Sequence, residues 1–117
     1  MWEVQQTVRF EKWFKGLDDV NRRKVIVGLM LLESQGPHLP RPYADTVNES
    51  RYANMKELRI QSQGKPLRAF FAFDPRRTGI ILCAGDKGKN DKRFYQEMIP
   101  IADEEYEKHL NSLTLER

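Results

Sequence analysis

The chain has 117 residues, enough to bury one core and too few for two, so a single domain over residues 1–117 is expected. Twenty Lys and Arg against 17 Asp and Glu leave a formal charge of +3, which permits a nucleic-acid partner without requiring one. The single cysteine excludes an intrachain disulfide framework, no run approaches the roughly 18 apolar residues of a membrane span, and MWEVQQTVRF lacks the cationic head and apolar stretch of an export signal. A soluble, cytoplasmic protein without membrane attachment is expected.

Trp2 to Gln6 alternates apolar and polar residues and predicts a short edge strand. Thr7 is placed to cap a helix carrying Phe10, Trp13, Phe14 and Leu17 on one stripe, stopping near Gly16. Asp18 or Asp19 opens a second helix, apolar over most of its circumference from Val25 to Leu32 and ended by Gly36-Pro37. His38 to Asn54 is rich in Pro, Asn, Ser and Asp and reads as a loop crossing to the sheet. Three strands follow, Met55 to Gln61, Lys65 to Asp74 and Gly79 to Asp86, joined by turns at Ser62-Gln63-Gly64 and Pro75-Arg76-Arg77-Thr78; connections this short imply antiparallel neighbours. Cys83, inside IILCAG, reads as a small buried hydrophobe. Asn90 and Asp91 are caps for a last helix beginning at Lys92, with Phe94, Met98, Ala102, Tyr106, Leu110 and Leu113 on one stripe and Pro100 set to kink or divide it. The fold class is α+β, an antiparallel sheet with helices packed on one face.

Strand parity places Met55, Glu57 and Arg59 on one face and Lys56, Leu58 and Ile60 on the other. On the next strand Leu67, Ala69, Phe71 and Phe73 form the core set, so Arg68, Phe70 and Ala72 belong to the opposite face, which is expected to be open. Pairing through the Ser62-Gln63-Gly64 turn brings Arg59 and Arg68 together, an arrangement that costs stability unless an anion lies between them. Lys87 stands where the third strand ends, followed by Lys89, Asn90, Lys92 and Arg93. Gly85 and Gly88 allow close backbone approach there, and the new helix offers free N–H groups to an anion. Tyr95 points either at this site or into the core.

In order and spacing, LPRPY (39–43), KELRI (56–60), RAFFAFDPRR (68–77), GDKGKN (85–90) and FY…IPIADEEY…HL (94–110) resemble the RelE/ParE superfamily of toxins from bacterial toxin–antitoxin pairs, most closely its HigB branch. The resemblance implies a microbial RNase fold, with two N-terminal helices packed on one face of the sheet and a C-terminal helix. It also implies cleavage of mRNA in the ribosomal A site, contact with ribosomal RNA and silencing by a cognate antitoxin, expected to be a helix-turn-helix protein. In such chemistry the ribose 2′-hydroxyl attacks the adjacent phosphate and the 5′-oxygen leaves, so cations are the expected machinery. Carried over by position, Arg68 and Lys87 stabilise the transition state, and Tyr95 stacks on a base or donates a hydrogen bond. Arg59, Lys89, Asn90, Lys92 and Arg93 are the expected RNA contacts. Glu57 stands where other members carry lysine; it is a candidate general base, or else it pairs with Arg59 or Arg68 and orders them.

No cofactor or metal is expected, because no His, Cys, Asp and Glu cluster has ligand spacing. His38 reads as a loop residue, His109 as a surface residue, and Asp103-Glu104-Glu105 and Arg22-Arg23-Lys24 as solvated helix faces. Two other functions fit these residues: a gyrase inhibitor like the ParE members, and a non-catalytic RNA- or protein-binding module.

Overall fold

Thr7 and Asp18 mark where the first two helices begin. In the computed structural model, which describes residues 1–115, the Thr7 hydroxyl accepts from Phe10 N at 3.1 Å and Asp18 accepts from Asn21 N at 2.9 Å, each satisfying an otherwise orphaned donor of the first turn. The elements run β1 (Val4–Gln6), α1 (Val8–Lys15), α2 (Asp19–Gln35), β2 (Ala44–Thr46), β3 (Lys56–Ser62), β4 (Lys65–Phe73), β5 (Gly79–Asp86) and α3 (Asp91–Leu115), with a 3-10 turn at Gly36–His38. Gly36 ends α2 at φ 59, and a Cβ there would lie 2.4 Å from the Trp2 ring. Glycine is therefore required both by the backbone and by the indole packed on it.

One five-stranded sheet has the order β1-β5-β4-β3-β2. β2 to β5 are antiparallel neighbours, but β1 pairs with β5 in parallel, Val4 against Gly79 and Gln6 against Ile81, so the sheet is mixed where a wholly antiparallel one was expected. Parallel pairing needs a long crossover, and everything between β1 and β5 supplies it. The segment expected to be loop contains β2, which pairs Ala44, Asp45 and Thr46 with Leu58, Glu57 and Lys56. Three residues are too few to show alternation in sequence.

Both sheet faces are covered. α1 and α2 place Phe10, Val25, Leu29 and Leu32 over Leu58, Ile60, Leu67, Ala69, Phe71 and Ile81, as the parity of β3 and β4 requires. Gly28 lets α2 sit close, since a Cβ would lie 3.2 Å from Ile60. α3 covers the opposite face with Phe94, Ile99, Ala102 and Tyr106 over Met55, Phe70, Ala72, Ile80, Leu82 and Cys83. The face of Arg68 is thus not open along its length: Phe70 and Ala72 lie under α3, because its apolar stripe has to be buried, at roughly 1.5–3 kcal/mol per large side chain.

A bulge in β5 reconciles the two layers. Phe70 pairs with Cys83 but Phe71 with Ile81, leaving Leu82 extra, so Leu82 and Cys83 both join the α3 layer and Gly85 comes opposite Arg68. α3 runs through Pro100 as one helix rather than two. Asp103, expected on a solvated face, is buried and accepts from Ser50 Oγ at 2.5 Å and Arg51 N at 3.2 Å, pinning the β2–β3 connection to α3. His109 is likewise drawn inward, its Nε2 2.8 Å from Asp74 Oδ2. No helix among the described residues is long and apolar enough to cross a membrane.

Candidate active site

The β3–β4 register sets Arg59 directly opposite Arg68 and Glu57 opposite Phe70, while β2 adds Asp45 beside Glu57. The anion between the two arginines is the protein's own. Glu57 is only 4% exposed, and its Oε2 accepts from Arg59 Nη2 at 3.3 Å. Its Oε1 lies 3.7 Å from Arg68 Nε, an ion pair beyond hydrogen-bond length. That same Oε1 accepts from the Tyr95 hydroxyl at 2.6 Å, a short charge-assisted bond.

Asp45 Oδ2 accepts from Arg59 Nη2 at 3.1 Å and pairs with Arg41 Nη2 at 3.0 Å. The Arg41 hydrogen bond, working against burial and helped by Thr46 N–H and the two guanidinium charges, holds the Asp45 carboxyl below its ordinary range. Among the described residues Arg41, Arg59 and Arg68 pair with two carboxylates, Asp45 and Glu57, which leaves these five side chains one positive charge in excess. Among them, Arg59 Nε and Arg68 Nε are buried with no hydrogen-bond partner, a costly condition.

Tyr95 points at this network while its ring packs edge-on against Phe70 and Phe94. Burial first, then the hydrogen bond and charge of Glu57, push its phenol up to about 12, with Arg68 working the other way. Near neutral pH Tyr95 is a neutral hydrogen-bond donor. Glu57 accepts from Tyr95 at Oε1 and from Arg59 at Oε2, which places it to order these groups.

The other sequence-predicted residues lie around this centre in two groups. Lys87 ends β5, its N–H donating to Pro66 O at 2.9 Å and its Nζ 3.3 Å from Asp91 Oδ2. It lines a shallow cavity of about 240 Å³ with Lys89, Asn90 and Arg93. Two of these are already engaged: Asn90 Oδ1 caps α3 by accepting from Arg93 N at 3.0 Å, and Arg93 Nε donates to Glu97 at 3.1 Å. Lys92 lines the other flank of α3, beside Tyr95 and Gln96. Gly85 does not leave room for a ligand, since the Phe94 ring fills the space a Cβ would take, at 3.1 Å, whereas Gly88, at φ 62, stands in the open.

Sequence reasoning missed Arg41, Tyr43 and Asp45. Arg59 N donates to Tyr43 O at 2.8 Å, and Tyr43 shares a cavity of about 400 Å³ with Pro42, Arg59, Ile60, Gln61 and Arg68. The one hint was LPRPY at 39–43, which carries Arg41 and Tyr43 but says nothing of their contacts. Among the described residues no three His, Cys, Asp or Glu side chains gather as a metal-binding group.

A family model described as phage-derived protein Gp49-like (DUF891) matches residues 12–107. The chain is 47% identical over 102 residues to HigB3 of Mycobacterium tuberculosis, covering 87% of this chain and 88% of that one. It is 45% identical over 103 residues to HigB2 of the same organism, spanning 87% of this chain but only 51% of that longer one; both relatives bear toxin names. Among solved structures, RelE in the archaeal RelE–RelB complex of Pyrococcus horikoshii matches at TM-score 0.56 and 14% identity, over 75% of this chain and 97% of that one. A free-state mutant of the E. coli toxin RelE matches at TM-score 0.58 and 9% identity, over 77% and 87%. At these identities the two structures establish a shared α+β fold.

Proposed function

We propose, from the premise that this chain belongs to the Gp49-like family and is a RelE/HigB-type toxin of a toxin–antitoxin system, that it acts as an endoribonuclease on mRNA held in the ribosomal A site. The observation that carries this reading is the opposed Arg59–Arg68 pair with its two unpartnered Nε groups and its excess positive charge. A scissile phosphate is the ligand that such a patch suits.

In this reaction the 2′-oxygen attacks phosphorus, the 5′-oxygen leaves, and the products are a 2′,3′-cyclic phosphate and a 5′-hydroxyl. Arg68 and Arg59 take the non-bridging oxygens, where charge builds in the phosphorane, and Lys87 adds a third cation from the end of β5. Tyr95, protonated and held by Glu57, offers its ring to a base, and its one hydroxyl proton reaches the substrate only when it leaves Glu57. Glu57 holds the arginines apart from each other's charge until substrate arrives. It becomes a proton acceptor only if Tyr95 swings away. The ribosome presents the strand in the bent geometry that in-line attack demands, which fits a site with so few proton-transfer groups of its own. Lys89, Lys92 and Arg93 then contact message or ribosomal RNA phosphates.

A cognate antitoxin partners this toxin, and we expect it to be a helix-turn-helix protein that silences the site by covering it or by displacing α3. One observation favours a second reading, a phosphate-gripping module without chemistry: both Glu57 oxygens are already engaged. Brief induction in growing bacteria, with primer extension on an abundant mRNA, separates the two. New 5′ ends confined to translated regions and lost in an Arg68→Ala, Lys87→Ala double variant support cleavage. Growth arrest without cleavage moves the reading to binding, of gyrase or of RNA.

A further inference from the structure

Among the described residues Tyr43 is the one aromatic residue left nearly half exposed, at 47%, and it stands beside the arginine pair. Its backbone is nonetheless fixed on both sides: Tyr43 N donates to Pro40 O at 3.0 Å, and Tyr43 O accepts from Arg59 N at 2.8 Å. Among the described residues its ring has no aromatic partner and its hydroxyl no hydrogen bond. The ring is thus held by a fixed backbone, about half covered, with its hydroxyl and much of its surface open to a ligand. The ring opens into the cavity of about 400 Å³ that also reaches Arg59 and Arg68, with Pro42 as an apolar wall and Gln61 on its lining.

We propose that this cavity is a mononucleotide subsite for single-stranded RNA, in which Tyr43 is the stacking platform for a base and the arginine pair receives that nucleotide's phosphate. The inference rests on the reading of the arginine pair as a phosphate site and adds to it the place of a base. Three features converge on a nucleotide and not on a bare anion. A phosphate alone uses only the arginines and leaves the apolar wall wet. A planar base covers Tyr43 and Pro42 while its phosphate reaches Arg59, the more exposed of the two arginine side chains at 35% against 12% for Arg68. The backbone hydrogen bond between Tyr43 and Arg59 ties platform and cation into one unit, so the ordering cost of binding is low. Stacking is tolerant of base identity, because every base presents a π-face. Gln61 is the group placed to read an edge.

The test is a titration of the purified, isotopically labelled protein with 5′-AMP, adenosine and inorganic phosphate, followed by NMR. With 5′-AMP the resonances of Tyr43, Arg59 and Arg68 shift together, and binding exceeds that of adenosine or phosphate. Tyr43→Ala weakens 5′-AMP binding between about fivefold and a hundredfold, phosphate binding is unchanged, and Tyr43→Phe keeps the affinity because the ring remains. In the cleavage assay Tyr43→Ala raises KM with kcat nearly unchanged. Unchanged 5′-AMP affinity in Tyr43→Ala, an equal loss in Tyr43→Phe, or Tyr43 resonances unmoved by 5′-AMP overturns the subsite. Absence of cleavage by the wild-type protein, with the nucleotide titration as expected, counts against the nuclease reading and leaves the subsite standing.

Discussion

Replacing Glu57 by alanine removes the one carboxylate that stands between Arg59 and Arg68. The interactions lost are the 2.6 Å hydrogen bond from Tyr95, the 3.3 Å bond from Arg59 and the 3.7 Å pairing with Arg68. Their weights differ. Arg59 keeps Asp45 at 3.1 Å and is partly exposed, so its share is about 0–1 kcal/mol. Arg68 has far less access to water and is left as a nearly buried charge facing a like charge, a situation that costs about 3–5 kcal/mol when one partner of a buried pair is removed. The expected loss at pH 7 is thus about 3–5 kcal/mol, a large fraction of the roughly 5–15 kcal/mol of a typical domain. Glu57→Gln, which keeps the volume and an acceptor for Tyr95, loses about half as much.

Urea denaturation of wild type and both variants, with and without sulfate, measures this. Sulfate stabilises folded proteins in general, so the readout is the difference from wild type. If the arginines require an anion, Glu57→Ala gains about 1.4 kcal/mol beyond the wild-type gain once sulfate is tenfold over its dissociation constant. A loss below about 1 kcal/mol, with no extra gain from sulfate, refutes the reasoning that Glu57 is the counterion holding the pair.

Asp74, with no side-chain exposure, accepts from Arg76 N at 2.8 Å and Thr78 N at 3.1 Å and meets His109 at 2.8 Å. Burial opposes its charge, but these partners outweigh burial and hold its pKa below the ordinary 3.8. Its stabilisation is therefore complete above that value and lost as pH falls through the folded pKa. Asp74→Asn costs about 1.5–3 kcal/mol at pH 7 and flattens the acid limb of Tm measured from pH 7 to 2. Tyr95→Phe costs about 1–2 kcal/mol by leaving Glu57 short of a donor. Because the Tyr95 phenol is raised from 10.0 to about 12, wild-type stability falls as pH rises across that interval, and the Phe variant loses this part of the alkaline slope in melts at pH 9 to 12. Gly36→Ala combines a positive φ with a Cβ driven to 2.4 Å from the Trp2 ring, for a cost of about 2–5 kcal/mol by urea titration with a shift in indole fluorescence.

What the chain reveals of this fold without coordinates depends on how local each signal is. The β3–β4 turn is legible because Gln63 and Gly64 both take positive φ, at 52 and 76, as a two-residue hairpin loop requires, and the turn then dictates that Arg59 meet Arg68. Helix starts at Thr7, Asp18 and Asn90 are legible from their side-chain caps. Pairing direction is not a local property, so nothing in Val4–Gln6 announces a parallel neighbour 75 residues away. Parity also fails at a bulge: Leu82 and Cys83 face the same layer because one residue is extra, and that offset decides which residue of β5 meets Arg68. Asp103 and His109 read as surface residues because their partners, Ser50 and Asp74, lie 53 and 35 positions away. The cations of the candidate site were readable as residue types on strands. Of the carboxylates that hold them, Glu57 was readable as an arginine partner from its place on β3, whereas Asp45 was not, because β2 is too short to declare itself.

In the proposed reaction the arginine pair directs attack of a 2′-hydroxyl on the adjacent phosphate. The most direct measurement is incubation of the purified protein with ribosomes paused on a defined, end-labelled mRNA, with chemical analysis of the new ends and Arg68→Ala in parallel. The expected result is a cut in the A-site codon that needs the ribosome, leaves a 5′-hydroxyl and a 2′,3′-cyclic phosphate, and slows about 100- to 1,000-fold in the variant. An intact message on protein-bound ribosomes, ends bearing a 5′-phosphate, or equal cleavage by Arg68→Ala contradicts it.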